Sequence, residues 1–560
     1  QAYLHGEYLP EEGKLWPSQR QGIAQALYVL TRQGSVLIAD ATGSGKTRMG
    51  VHLIGAVADH NIRTGRMRRG KSLMVCPPAV SSAWERESLF AGVHMDVYSH
   101  GVLSHTKSRK HELTLEALRR AQILSVDEGH NFLNMGSTRT QNLLRNMADH
   151  VMLFTATPIN RSVVDLLRIA DMLGADNLDD TTLDMFRKLL ATKNIDRSLE
   201  DEEIDVLRKE IKRFTVRRTK RLLNRLIDRE PELYVDKDGR RCRFPKHKPK
   251  TYKLHESAKD RELAAEIRVL ADRLYAVTHF QNPIEMPEVL RRRGATEEHF
   301  LNGRLSSAKK IARFQIMKSL RSSRLALAEH IVGTIKATSD FDLDFHKHTA
   351  TGDVLGRLEE IPGKLPINKL AIPLPEWLSD EAAHIEACAH DHAIYEKIYG
   401  LVRSMSDGRE RGKASFLLKL VAKENLVLAF DSRPITLADI QRYIRQQKAD
   451  VRIIIATGDP GSDREGVLET FALGSAEKNV IGLCSDSLAE GVNLQQAAAL
   501  VHLDMPSVVR IAEQRVGRID RLDSPHKSIE AWWPEDAEEF ALSSDERFIE
   551  RYETVDALLG

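Results

Sequence analysis

Val36 to Gly50 reads VLIADATGSGKTRMG, and this stretch constrains the fold more than any other. Val36-Leu37-Ile38-Ala39 is a short apolar run of buried-strand type. A glycine-containing turn follows. Lys46-Thr47 then opens a segment in which Met49, Leu53, Ile54 and Val57 recur with helical period. Strand, turn and helix in that order are the setting a phosphate-binding loop requires. The backbone N–H groups of Thr42, Gly43, Ser44 and Gly45 can wrap a β-phosphate, and the helix dipole favours the anion. In that reading Lys46 reaches the β- and γ-phosphates and the Thr47 hydroxyl ligates magnesium. The strict pattern has glycine where this chain has Asp40. An ordinary glycine-rich connection is therefore the competing reading of this stretch alone.

A chain of 560 residues is too long for one core, so three or four structural units are expected. Apolar residues make up 42% and charged residues 29%, a soluble globular balance. Basic and acidic residues number 82 and 80, so net charge does not announce a nucleic-acid partner. Local clusters do more: Arg63 to Lys71, Arg217 to Arg225, Arg240 to Lys250 and Arg291 to Arg293 are basic, and Glu200 to Glu203 is acidic. Each cluster alone reads equally well as a solvated face. Cys76, Cys242, Cys388 and Cys484 have no paired spacing, which suits a reducing cytosol and argues against a disulfide frame or zinc ribbon. No apolar run has transmembrane length and no signal peptide is visible, so no membrane partner is expected. The chain begins at Gln1 rather than Met, which points to a longer protein.

From about Trp16 to Met172, apolar strand candidates alternate with helical stretches. The strands are Val36 to Ala39, Leu73 to Cys76, Val93 to Tyr98, Ile123 to Val126 and Val151 to Phe154; Ser18 to Leu30, Arg109 to Arg120 and Thr138 to Met147 are helical in pattern. Alternation implies a parallel, doubly wound sheet with ligands at the strand C-terminal ends. Ile123 to Val126 delivers Asp127-Glu128-Gly129-His130 there. In an ATPase, Asp127 would hold magnesium through water and Glu128 would polarise the attacking water. Thr155-Ala156-Thr157-Pro158 ends the next strand and reads as a sensor of phosphate state.

A second α/β unit begins near Gly412. Its strand candidates are Leu426 to Phe430, Val451 to Ala456, Val480 to Cys484, Leu500 to Leu503 and Ile529 to Trp532. Near its end comes QRVGRIDR, Gln514 to Arg521. On a helix Gln514, Arg518 and Arg521 share one face. Guanidinium groups from a second unit can stabilise charge on a transferring phosphoryl group.

These motifs together resemble the SWI/SNF-type family of superfamily-two helicase-like ATPases, most closely the bacterial branch that includes the RNA-polymerase-associated recycling ATPase. Gln19 in WPSQRQG resembles the family's adenine-contacting glutamine, and Asp40 matches its DEMGLGKT phosphate loop. Val75-Cys76-Pro77-Pro78, with Trp84 and Glu87, looks like its first nucleic-acid-facing element. DEGHNFLN, with Asn134 and Ser137, resembles its DEAH continuation, with Gly129 in place of alanine; Thr155 to Asn160 resembles TGTPxxN. FTVRRTK, Phe214 to Lys220, is similar to its LLRRTK segment, and Phe244-Pro245-Lys246 to the proline-lysine that follows. SDSLAEGVNL, Ser485 to Leu494, resembles STRAGGxGINL, with Gly491 and Asn493 keeping the pattern. By resemblance Arg518 and Arg521 are arginine fingers beside Gln514, and His130, Thr155 and Thr157 couple hydrolysis to movement.

The resemblance implies an α/β fold of two RecA-like parallel-sheet lobes with a helical insertion. The expected divisions are lobe 1 over 1–175, a helical protrusion and linker over 176–254, the insertion over 255–411, lobe 2 over 412–535 and a C-terminal brace helix over 536–560. It implies ATP with Mg2+ between the lobes, contacted by Gln19, Thr42 to Thr47, Asp127, Gly491 and Asn493. Double-stranded DNA is the implied partner, met by Pro77, Trp84, Arg217, Arg218, Lys220 and Arg291-Arg292-Arg293. The implied function is an ATP-dependent DNA translocase in a bacterial cytoplasm, associated with the nucleoid, in polymerase recycling or anti-phage defence. The alternatives are a strand-separating helicase, a nuclease-coupled effector or an ATP-gated scaffold. A protein partner or the part preceding Gln1 is a further candidate for the insertion. Two clusters there suggest metal ligands: Asp340, Asp342, Asp344, His346 and His348 on one face of a strand, and His384, Cys388 and His392 on one face of a helix. Ordinary surface or packed polar residues are the preferred account of both.

Overall fold

The computed structural model describes residues 15–542, apart from 69, 105–108, 135–136, 157–164, 166–167, 170–171, 174–211, 237, 288–289, 292–293, 346–350, 448–449, 459–461, 489–491 and 507–508. Six strands form the first sheet: β1 (Ser35–Ile38), β2 (Ser72–Cys76), β3 (Asp96–Ser99), β4 (Ile123–Asp127), β5 (His150–Phe154) and β6 (Thr215–Val216). Their order is β3-β2-β4-β5-β1-β6 and every pairing is parallel. β1, β2 and β4 are buried along their whole length, which is why they read as continuous apolar runs. The helices Pro17–Gln33 and Lys46–Arg63 seal one core with them, through Ile23, Leu30, Leu53 and Ile54.

The second sheet contains β7 (Lys246–Lys253), β8 (Leu426–Asp431), β9 (Arg452–Ala456), β10 (Val480–Ser485), β11 (Ala499–His502) and β12 (Ser528–Glu535). Its order is β7-β12-β11-β8-β10-β9, again parallel throughout. Two apolar clusters cover its two faces. The stretch 176–254, expected as helical protrusion and linker, thus supplies an edge strand to each sheet. β7 reads KHKPKTYK and is mostly exposed, a charged edge that discourages pairing with another chain.

Between β7 and β8 lies a helical unit with its own core, to which Ile435 of lobe 2 and Phe540 also belong. Its longer helices are Ala258–Asp272, Glu297–Ser322, Arg324–Asp340 and Glu381–Ser404. The pattern Leu305 to Ile335 predicts one helix. The chain breaks at Ser323, whose hydroxyl caps the second helix by accepting from Ala326 N. Helix Gly408–Glu424 then leads into lobe 2. Residues 543–560 of the expected brace helix lie outside the described residues. Among the described residues no helix is long and apolar enough to cross a membrane.

Candidate active site

β1 ends at Ile38 and the loop to Lys46 turns on Gly43 and Gly45, with φ of 76° and 78°. Only glycine adopts such angles without strain. Lys46 Nζ donates to the carbonyl oxygens of Asp40 (3.0 Å) and Ala41 (3.1 Å). Burial lowers its pKa, opposed by the charges of Glu128, Asp40 and Asp127. Gln19 is buried; its Nε2 donates to Gly45 O at 3.3 Å and its Oε1 accepts from Trp16 N at 3.0 Å. The glutamine therefore braces the loop itself.

Asp40 has a structural reason to replace glycine. Its Oδ1 accepts from Arg218 N (2.9 Å) and Nε (3.1 Å), and its Oδ2 pairs with the same guanidinium. A Cβ on Gly22 would lie 2.5 Å from Arg218 Cζ, so this pair also dictates the small residue at 22. The pair ties the phosphate loop after β1 to the segment after the neighbouring strand β6, 178 residues on in the chain.

The acids sit at the end of β4. Asp127 is 9% exposed; Trp84 Nε1 donates to its Oδ2 at 2.9 Å and Glu128 N to its Oδ1 at 2.9 Å. Burial pushes its carboxyl upward against those bonds and the Lys46 charge. Glu128 holds a left-handed φ of 49°, a strained conformation that concentrates at functional sites. At Gly129 a Cβ would stand 3.5 Å from Leu153 Cβ, an ordinary contact, so the family's alanine would fit there. His130 is buried. Its Nδ1 lies 3.0 Å from Thr155 Oγ1 and 3.2 Å from Glu128 Oε2. Arg510 NH1, from lobe 2, lies 2.8 Å from His130 Nε2. A guanidinium can only donate, so Nε2 accepts and Nδ1 carries the proton. Burial and the Arg510 charge hold the ring neutral. Arg510 thus links the second lobe to Thr155 and Glu128 through one imidazole.

The two lobes meet on the phosphate loop. A Cβ on Gly43 would come within 2.8 Å of Asp520 O and 2.9 Å of Arg521 Cα; one on Gly517 would come within 2.9 Å of Thr42 Cβ. Leu522 N donates to Gly43 O at 3.3 Å, and Lys220 pairs with Asp520. Arg521 is half-buried, its pKa lowered by burial, and its charge acts on Lys46. Arg518 turns inward, donating to Gln514 O (2.9 Å) and Val492 O (3.0 Å). Arg515 between them is fully buried, bound to Asp486 (2.7 Å) and Asp504 (2.8 Å). Ser44 Oγ, Gln514 Nε2 and Arg521 Nε are buried without hydrogen-bond partners. Unpaired buried donors around a phosphate-type loop fit an anionic ligand. Beside the loop a cavity of about 420 Å³ opens between the lobes, lined by Thr42, Arg217, Lys220, Glu513, Asp520 and Trp533. Asn493 is exposed; Gly491 and Thr157 lie outside the described residues.

The residues expected to meet nucleic acid divide. Trp84 is fully buried on Asp127, and Arg218 is buried on Asp40. Neither can touch a duplex from these positions; each instead shapes the nucleotide site. Pro77 is buried too, while Arg217 and Lys220 line the interlobe cavity. Arg291 is exposed and pairs with Glu297 at 3.1 Å; Arg292 and Arg293 lie outside the described residues. The metal readings are not supported. Asp340 ends a helix and Asp342 sits in the following turn, so the alternating acids share no strand; His346 and His348 are outside the described residues. His384 accepts from Gly363 N at 3.2 Å, and His392 faces Glu359 and Glu396. Among the described residues no cluster of His, Cys, Asp or Glu could hold a metal.

Sequence spacing gave no sign of Arg510 or of the Trp84–Asp127 and Arg218–Asp40 bonds. The partners are 380, 43 and 178 residues apart in the sequence, and no local pattern joins them.

Two parallel-sheet lobes closing on a phosphate loop, with strand-end acids on one side and an arginine helix on the other, define a two-lobed ATPase of the helicase-like type. The family comparisons specify it. The SNF2-related domain family matches residues 96–289 and the helicase conserved C-terminal domain family residues 412–523, together more than half of the chain. The chain belongs to the SWI/SNF-type superfamily-two ATPases. The TATA-binding protein-associated factor mot1 of Aspergillus fumigatus is 24% identical over 247 residues, 37% of this chain and 13% of that protein. The CHD3-type chromatin-remodeling factor CHR7 of Arabidopsis thaliana is 23% identical over 211 residues, 33% of this chain and 17% of that protein. The human SWI/SNF-related regulator of chromatin subfamily A containing DEAD/H box 1 is 23% identical over 234 residues, 37% of this chain and 22% of that protein. The matched regions are therefore a small part of these relatives. The Sulfolobus solfataricus SWI2/SNF2 ATPase core in complex with dsDNA aligns with 94% of this chain and 89% of its own, at 14% identity and a TM-score of 0.35.

Proposed function

We propose that this chain hydrolyses ATP between its lobes and uses the opening and closing of the cleft to move along double-stranded DNA. One observation carries the ATP half: the Gln514 to Arg521 segment of lobe 2 packs against Thr42 and Gly43 of the phosphate loop in lobe 1. A γ-phosphate added or lost there changes what both lobes touch. Lys46 would exchange two loop carbonyls for phosphate oxygens. Glu128 would orient the attacking water, and Arg521 would offset charge in the transition state. Magnesium suits the donor set, since Thr47 and Asp127 are oxygen donors and this ion keeps most of its water and phosphate ligands. When bound it would neutralise charge on the β- and γ-phosphates. DNA is chosen because the relatives above carry names from chromatin remodelling.

The test is ATP turnover with double-stranded DNA, single-stranded DNA, RNA or no nucleic acid, together with displacement of a third strand from a duplex. Stimulation by duplex and ATP-dependent third-strand displacement are expected, both absent in Glu128→Gln, which should still bind ATP. Turnover indifferent to nucleic acid would favour an ATP-gated scaffold, and separation of a plain duplex would favour a helicase. A bacterial, nucleoid-associated role in anti-phage defence or polymerase recycling rests on motif resemblance alone. Phage plating on cells carrying wild type or Glu128→Gln would test the defence role.

A further inference from the structure

The helical unit, together with Arg433 of lobe 2, lines a partly open polar cavity that plays no part in the nucleotide site. Its volume is about 250 Å³, and Gln315, Glu329, His330, Arg357, Tyr395 and Arg433 contribute to its lining. The backbone is bent to make it. Helix Arg324–Asp340 is interrupted at Gly333, with φ 77° and ψ 166°. Gly352, with φ 88°, presses so closely on the Glu329 carbonyl that a Cβ would sit 1.8 Å from its oxygen. Loop 351–353 therefore closes over the end of the first half-helix. Both glycines sit where another residue could not.

The lining carries two arginines against one acid. Arg433 NH2 donates to Ser319 Oγ at 2.9 Å, and among the described residues neither Arg433 nor Arg357 has a carboxylate partner. Glu329, the acid in the wall, accepts from Thr334 Oγ1 at 2.8 Å and Thr351 Oγ1 at 3.3 Å. His330 is 8% exposed and its Nε2 has no hydrogen-bond partner among the described residues. Burial, Arg433, Arg357 and His279 all act against its protonation, so its pKa falls to about 3. A neutral imidazole, an amide and two guanidinium groups without carboxylate partners among the described residues, around a partly open polar space, favour an anion that also carries hydroxyl groups.

We propose that this cavity binds a small phosphorylated metabolite, with Arg357 and Arg433 on the phosphate and Gln315 and His330 on hydroxyls. The volume lies below the roughly 300–1,000 Å³ of sites for drug-sized ligands. A phosphate ester of a few carbons fits. The site joins the insertion to lobe 2, because Arg433 immediately precedes helix Pro434–Gln447 while Gln315 lies on helix Glu297–Ser322. An occupied site would brace the two units against each other.

Phosphate also suits the nucleotide loop, so the test uses the full chain carrying Lys46→Ala. Calorimetric titration with inorganic phosphate and with glycerol 3-phosphate, at constant ionic strength, is expected to give saturable binding. Arg357→Gln and Arg433→Gln should each weaken it by about tenfold or more, as expected for loss of a charge-assisted hydrogen bond. Arg291→Gln, elsewhere on the insertion, should leave it unchanged. Melting in phosphate-free buffer checks that each variant is folded. Arg357 is exposed, so its variant keeps the test decisive if Arg433→Gln unfolds. No binding by the Lys46→Ala parent, or equal binding by the arginine variants, overturns the proposal. If only a 5′-phosphorylated oligonucleotide binds in an Arg357-dependent way, the cavity grips a strand end and the metabolite proposal is also overturned.

Discussion

Trp84 carries more of the active site than its surroundings in sequence suggest. Its indole is fully buried and donates to the Asp127 carboxylate, so one residue fixes both the helix Ser81–Phe90 and the acid at the end of β4. Trp84→Phe keeps most of the packing and removes the donor. The expected cost is about 1–3 kcal/mol in denaturant unfolding, the range for depriving a buried polar group of its partner, with a larger proportional loss of ATP turnover. Unchanged turnover would mean that Asp127 is positioned without the indole. Another buried acid sets a pH dependence. Burial, and then the Glu410 charge, push the Asp439 carboxyl up to about 7, although Arg442 and Arg324 face it. The folded state thus binds this proton more tightly than the unfolded chain, whose aspartates titrate near about 4. Stability from this group is present at low pH and is lost as pH rises from about 4 through about 7. Asp439→Asn removes that dependence, so its stability relative to wild type should improve between pH 5 and pH 8. A difference constant over that range would refute it.

At the scale of elements, the central strands and the edge strands β3 and β9 were legible, and the edge strands β6 and β7 were not. β1, β4, β8 and β10 read correctly because burial on both faces leaves unbroken apolar runs. β6 is two residues long, and β7 is a lysine-rich strand whose partner β12 lies far along the chain. Neither carries a periodic apolar signal. The phosphate loop and the Asp-Glu strand end were legible for another reason: their chemistry is local. The Arg510–His130 and Arg218–Asp40 contacts exist only after folding. The helix break at Gly333 also escaped notice, because glycine within an apolar helical pattern reads as a weak helix residue rather than as a bend. Gly352→Ala tests how far that bend depends on its packing. The new methyl collides with the Glu329 carbonyl, and φ is unfavourable as well. Loss of well over about 2 kcal/mol is expected, as for other strained or overpacked sites. The loss should appear as earlier melting of the helical unit, while nucleotide binding by lobe 1 persists.

At the scale of the whole molecule, the two sheets communicate through a narrow set of contacts: Gly43 with Arg521, Thr42 with Gly517, Lys220 with Asp520, and Arg510 with His130. The first two involve the phosphate loop, the third the helix that begins at Lys220, and the last the acid-bearing turn. In the proposed cycle, a nucleotide at the loop would act on closure at more than one point. A motor that steps along a duplex must hold it by phosphates, since base contacts would tie it to one sequence. Binding to duplex DNA should therefore fall steeply and linearly in log affinity against log salt, with little dependence on base composition. Arg521→Ala separates this grip from the engine. The arginine is half-buried where the lobes meet, and its charge acts on Lys46, so its loss should leave duplex affinity and salt slope near wild type. DNA-stimulated turnover should fall about a thousandfold or more, the scale known for arginines that act in trans on a phosphoryl group. Equal losses of DNA affinity and turnover would place Arg521 in the DNA path instead. Unaltered turnover would mean that the closed arrangement is not the hydrolysing one.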